Sequence, residues 1–143
     1  MRTWSFRSAF EVAAPRDRVH EVLVDLERYP SWWRQVRAVA RLGADEALVV
    51  CRSALPYSLH LHLHAVHRRP DLLETSIDGD LVGVVRWRLA DRPSGTGLEF
   101  EQDVRVAGRL LTIGSYAARP VLRWNHERMM VGCEQGLRSA VDV

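Results

Sequence analysis

Residues 82–106 read VGVVRWRLADRPSGTGLEFEQDVRV, and their alternation decides the fold. In 82–91, Gly83, Val85, Trp87 and Leu89 share one face, and Arg86 and Arg88 share the other. In 97–106, Leu98, Phe100, Val104 and Val106 oppose Glu99, Glu101, Asp103 and Arg105. A period of two with one apolar side is the pattern of a half-buried strand. Pro93–Ser94–Gly95–Thr96–Gly97 between them is turn chemistry. A connection that short makes the two strands antiparallel neighbours. Arg86 and Arg88 then lie across from the acids at 99, 101 and 103, and each such pair contributes about 0.2–1 kcal/mol. The charged ladder is the outer face; Trp87 and Phe100 belong to the inner one.

The same period extends toward the N-terminus. Strands are expected near 35–42, 46–55, 57–68 and 72–79, broken at Gly43–Ala44–Asp45, Pro56, Arg69–Pro70–Asp71 and Asp78–Gly79–Asp80. Residues 2–12 add one more, with Trp4, Phe6, Phe10 and Val12 on one side. Between this strand and the next the period becomes helical. Pro15 suits a first helical position, and Val19, Val22, Leu23 and Leu26 form a stripe. Tyr29–Pro30 breaks that helix and starts a second short one. Helical spacing returns from about Leu110 to Val141, with Pro120 near the first turn of its longest piece. Leu122, His126, Met130, Cys133, Leu137 and Val141 make one stripe facing the sheet, with Trp124 off it. Strand, two helices, six strands and a long helix give an α+β chain, one domain over 1–143, with helices on one face of an antiparallel sheet.

Composition narrows the function classes. The 143 residues carry a net charge of +2, and all 20 bases are Arg. The absence of Lys, with one Asn and two Ile, reads first as the mark of a GC-rich genome. It also removes Schiff-base, phosphate-loop and Ser–Lys chemistry. No apolar run reaches the ~20 residues of a membrane helix, so no membrane insertion is expected. The N-terminal residues lack the core of a signal peptide, and Cys51 and Cys133 lack C-x-x-C spacing. Two buried free thiols and a cytoplasmic location are expected. The Arg residues are interleaved with acids, which speaks against a nucleic-acid face.

Two sets of histidines stand out. His60, His62 and His64 alternate with leucines, on one face and ~6.6 Å apart. They read first as a solvated outer face pairing with Glu74, Ser76 and Asp78 of the next strand. A row lining a cavity, after a bulge near Pro56, and a Zn²⁺ site completed by a third ligand are the alternatives. The expectation carried forward is no metal and no cofactor. His126 sits on the core stripe, where it is either a satisfied polar group or an inward titratable one.

Three segments together resemble one family. They are AAPRDRVHEVLVDLERYPSWW at 13–33, DGDLVGVVRWRL at 78–89 followed by GTGLEFEQDV at 95–104, and ARPVLRWNHERMMVGCEQGL at 118–137. In this order they resemble a START-like (SRPBCC) domain of the polyketide cyclase/dehydrase type, over nearly the whole chain. The resemblance implies a helix-grip fold, a curved seven-stranded antiparallel sheet wrapped around a long C-terminal helix. It also implies a cavity between them for a bulky hydrophobic small molecule, lipid or polyketide-like. Tyr29, Trp32, Trp33, Trp87, Phe100, His126 and Met130 are the residues expected to meet that ligand, although Trp87 and Met130 could equally fill the core. The alternative function is a polyketide aromatase/cyclase or dehydratase, with His126 or an inward Arg or Tyr moving the proton. Arg68, Tyr57 and Tyr116 are the candidates there, and a homodimer stays open. Most other Arg are assigned to the outer ladder and helix surface, leaving chiefly His126 and Arg68 for chemistry inside.

Overall fold

The computed structural model describes residues 3–52, 58–107 and 119–142. One antiparallel sheet contains β1 (Thr3–Val12), β2 (Val36–Arg41), β3 (Glu46–Arg52), β4 (Ser58–Arg69), β5 (Leu72–Gly79), β6 (Leu81–Arg92) and β7 (Gly95–Val106). Its order is β1-β7-β6-β5-β4-β3-β2, so β1 and β2 are opposite edges. The chain crosses between these edges through α1 (Arg16–Val24), a 3-10 turn (Leu26–Arg28) and α2 (Tyr29–Trp32). The long α3 (Arg119–Val141) ends the chain, and the curved sheet grips it. This is the α+β helix-grip architecture expected from the sequence. Pro120 falls in the first turn of α3, as expected; residues 110–118 lie outside the described ones. Pro15 stands one position earlier than expected, at the cap of α1, where its carbonyl accepts from the Arg18 and Val19 amides at 3.1 Å each.

The quoted hairpin pairs as its alternation requires. Trp87 lies opposite Phe100, Arg86 opposite Glu101 and Arg88 opposite Glu99. The outer ladder centres on Arg86, whose Nε is 2.6 Å from Glu74, with Asp103 at 3.6 Å and Glu101 at 3.9 Å. At the next strand the Ser5 hydroxyl donates to Asp103, and this bond together with Arg7 and Arg86 holds that carboxyl below its usual range. These pairs are half-buried and still reached by water, and surface pairs are worth up to about 1 kcal/mol each. The ladder therefore fixes register more than it supplies stability.

The inner face carries the stability. Trp87, 5% exposed, meets Phe10 edge-on at 6.1 Å and Phe100 at 4.8 Å. Cys133 and Leu137 of α3 are fully buried, and His126, Met130 and Val141 complete their stripe. Gly136 is required by close approach: an added Cβ would collide with the Trp32 carbonyl, so α2 could not rest on α3. Gly79 has φ +108° in the tight turn between β5 and β6. The buried Asp80 beside it ties that turn down, accepting from the His60 amide at 2.8 Å and from Ala107 through its own carbonyl at 2.9 Å.

The histidine strand lies with its leucines inward. His60 and His64 are exposed on the outer face, where His62 joins them half-buried. Asp78 and Ser76 of β5 lie opposite His62 and His64, as expected, but the carboxylate the rings approach is on the other neighbouring strand. His62 and His64 approach Glu46 of β3, at 3.2 and 3.6 Å, while only His67 approaches Glu74, at 3.9 Å. Pro56 lies outside the described residues. A register shift does occur in β4, but between Ala65 and His67. The extra residue is Val66, and beyond it the two faces exchange. Arg68 is thereby set opposite the inward Leu73.

Candidate ligand cavity

A cavity of about 390 Å³ lies between the α1–α2 crossing and the inner sheet face. That volume is within the range of small-molecule sites. Its sheet wall follows from the period of two: Ala47, Val49 and Cys51 of β3, Leu61 and Leu63 of β4, Leu73 and Ile77 of β5, Val85 and Trp87 of β6, and Phe100 of β7. Leu23, Tyr29 and Trp33 close it from the crossing, and Met129 reaches it from α3.

Three polar groups of the wall are occupied or held neutral. The Tyr29 hydroxyl donates to the Leu23 carbonyl, and burial holds its pKa far above the ordinary value. The Trp33 indole donates to the Met129 carbonyl at 2.9 Å, locking two walls together. Burial pushes the Cys51 thiol up to about 12, so it is neither a thiolate nor a nucleophile near neutral pH.

Charges gather at the rim. The lining includes the exposed Asp25, Glu27, Arg41, Asp45 and Arg68. Arg41 reaches across to Glu27 at 3.6 Å and donates to the Gly43 carbonyl at 2.9 Å. Arg68 pairs with Asp45 at 2.8 Å and donates to the Ala44 carbonyl at 2.6 Å. Both arginines therefore hold the β2–β3 turn against the mouth, and each brings its own counter-charge.

Of the candidate residues, Tyr29, Trp33, Trp87 and Phe100 come together as walls, and Arg68 stands at the rim. Trp32, Met130 and His126 are not part of the lining. Trp32 stacks on Trp33 at 5.8 Å, and Met130 is buried in the core cluster. His126 is sandwiched between Phe6, stacked at 4.2 Å, and Phe100, at 5.6 Å. Phe100 thus separates it from the cavity. Burial lowers the imidazole to about 4, and its Nε2 has no hydrogen-bond partner among the described residues. Tyr57 and Tyr116 lie outside the described residues.

A family described as polyketide cyclase / dehydrase and lipid transport matches residues 12–130. The chain belongs to that family. Solved structures share its fold. A START superfamily protein from Mycobacterium smegmatis superposes with a TM-score of 0.79 at 16% identity, covering 96% of this chain and 97% of that one. The Zhui aromatase/cyclase from Streptomyces sp. R1128 gives 0.78 at 19% identity, covering 99% and 94%. A conserved protein from Geobacillus kaustophilus gives 0.79 at 10% identity, covering 97% and 95%. No curated protein sequence matches the chain significantly. At these identities the likeness to family structures concerns the fold, and activity has to be argued from the cavity.

Proposed function

We propose that this family member binds a bulky, uncharged hydrophobic molecule in the cavity. The observation that supports it is a 390 Å³ space walled by aliphatic and aromatic side chains, with charges confined to the rim and already paired there. An anionic head group would have to displace Glu27 or Asp45 from its arginine, and a cationic one would have to displace the arginines. A neutral apolar ligand displaces neither and gains the burial term, about 25 cal/mol per Å² of apolar surface.

A second reading is a polyketide cyclisation in the same space, and Arg68 at the rim favours it. A polyketone chain folded against Trp33, Trp87 and Phe100 would meet a guanidinium at the mouth. His126 is a poor proton donor for it, because Phe100 lies between.

One titration tests both. 1-Decanol has no absorbance that overlaps tryptophan, and it should change the fluorescence of the Trp33 and Trp87 walls saturably, with a dissociation constant on the order of 10–100 µM. The absence of a saturable change would overturn the binding reading. Conversion of a linear polyketone, lost in Arg68→Gln while decanol affinity is kept, would establish the cyclase reading instead.

A further inference from the structure

The charges of this chain balance in sum but not in place. Eleven of the 20 Arg fall in 28–44, 47–70 and 104–126, three stretches that contain no Asp or Glu. The fold brings such segments, and the Arg128 turn of α3, together beside α2. Gln35 donates to the Arg128 carbonyl at 3.3 Å, and the Arg52 amide donates to the Gln35 carbonyl at 2.6 Å. Arg52 and Arg128 are thus bonded to Gln35 through their backbones, and Arg34 and Arg37 lie one and two positions from it, so the four arginines stem from backbone around Gln35, where the start of β2 nears α3. All four are exposed, and none pairs with a carboxylate among the described residues. The neighbouring acids are engaged elsewhere, Asp25 with Arg28 and Glu27 with Arg41. Glu127 is the remaining carboxylate nearby, set about 100° around α3 from Arg128. The outer ladder does not account for these arginines.

Apolar surface accompanies the charge. Trp124 is 47% exposed and Val131 is 53% exposed, seven residues apart on one stripe of α3. The Arg128 guanidinium lies over the Trp124 ring at 5.6 Å.

We propose that this face docks on the surface of an anionic lipid bilayer. Unpaired guanidiniums on the same side of the molecule as an exposed indole are the composition of a surface that lies at the headgroup level. A nucleic-acid strand would need a basic groove with several stacking aromatics, whereas Trp124 is the only exposed large aromatic among the described residues. A protein partner would need about 800 Å² of complementary surface, and the apolar part here is one Trp and one Val. Arg34 and Arg128 are also the chain neighbours of Trp33 and Met129, which line the cavity and are bonded to each other. The docked face is thus the outside of a cavity wall.

Cosedimentation with vesicles tests this. The full chain is mixed with phosphatidylcholine vesicles or with vesicles containing about 30% phosphatidylserine, at low and high salt. Binding should require phosphatidylserine and fall with salt. Each of Arg34→Gln, Arg37→Gln and Arg128→Gln should weaken it about fivefold, and the triple variant about a hundredfold. Trp124→Ala should weaken it at every salt concentration. Arg7→Gln/Arg88→Gln, with two charges removed from the ladder face, should bind as the parent does. All are exposed positions, and circular dichroism checks each fold. No vesicle binding, equal binding to neutral vesicles, undiminished binding at high salt, or a triple variant that binds normally would overturn the proposal. So would capture of an RNA strand or an acidic protein in place of vesicles.

Discussion

Trp87→Ala is expected to lower the unfolding free energy by about 3–5 kcal/mol, read as a shift of the urea midpoint at an unchanged slope. Trp87 is 5% exposed and holds Phe10 and Phe100 edge-on, so it joins β1, β6 and β7 through their rings. The sheet around it is already paired and cannot collapse to refill the space. The lost indole therefore costs both its transfer energy and a new void. Trp87 also walls the cavity, so the void opens into existing empty volume. Trp87→Phe should recover more than half of the loss. A shift below about 1 kcal/mol for Trp87→Ala would mean that the aromatic cluster does not hold these strands together.

Stability should also fall steeply on mild acidification, through His126. Its folded pKa is depressed to about 4, against about 6.5 for an unfolded chain. The unfolded state therefore takes the proton first. The contribution is complete above pH 6.5 and is lost as pH falls toward 4, amounting to about 3 kcal/mol. The cause is burial between Phe6 and Phe100, with an Nε2 that has no acceptor among the described residues. Urea unfolding at pH 7 and pH 4 should show this loss in the parent. His126→Leu should show a difference smaller by that amount, since other titrating groups are common to both proteins. An equal pH dependence in both would mean that the imidazole is not held neutral.

The face of each strand was legible because a period of two leaves little freedom. Once Arg86 and Arg88 are set opposite acids, Trp87 and Phe100 have to point inward, and the leucines of 59–63 follow. The partners of the histidines on β5 were legible, but the carboxylate that the rings of His62 and His64 reach was not. Glu46 and the triplet Glu74, Ser76 and Asp78 flank the same strand, and both neighbours present polar groups to it. Nor was the placement of Arg68, since nothing in AVHRR marks Val66 as an extra residue, and one extra residue turns everything after it over. The helix stripe is legible in its spacing, but which side of it meets the cavity is not. Its four-residue steps point at β1 and the core, where His126 meets Phe6. The cavity lies toward α2, one position around the helix, so Met129 lines it and Met130 does not. The arginines looked interleaved along the chain because acid-free stretches alternate with mixed ones. Only the β2 edge and α3 together reveal that four of them stand without acids.

On the proposed function, this space receives an apolar molecule. Calorimetric titration of 1-decanol into the parent, Ala47→Phe and Leu48→Phe tests it most directly. Ala47 and Leu48 are adjacent in β3, but Ala47 is buried in the cavity wall and Leu48 is exposed on the outer face. The parent and Leu48→Phe should bind one equivalent with a negative heat-capacity change, and Ala47→Phe should bind at least tenfold more weakly. Equal binding by all three proteins, or none by the parent, would rule out this cavity as the ligand site.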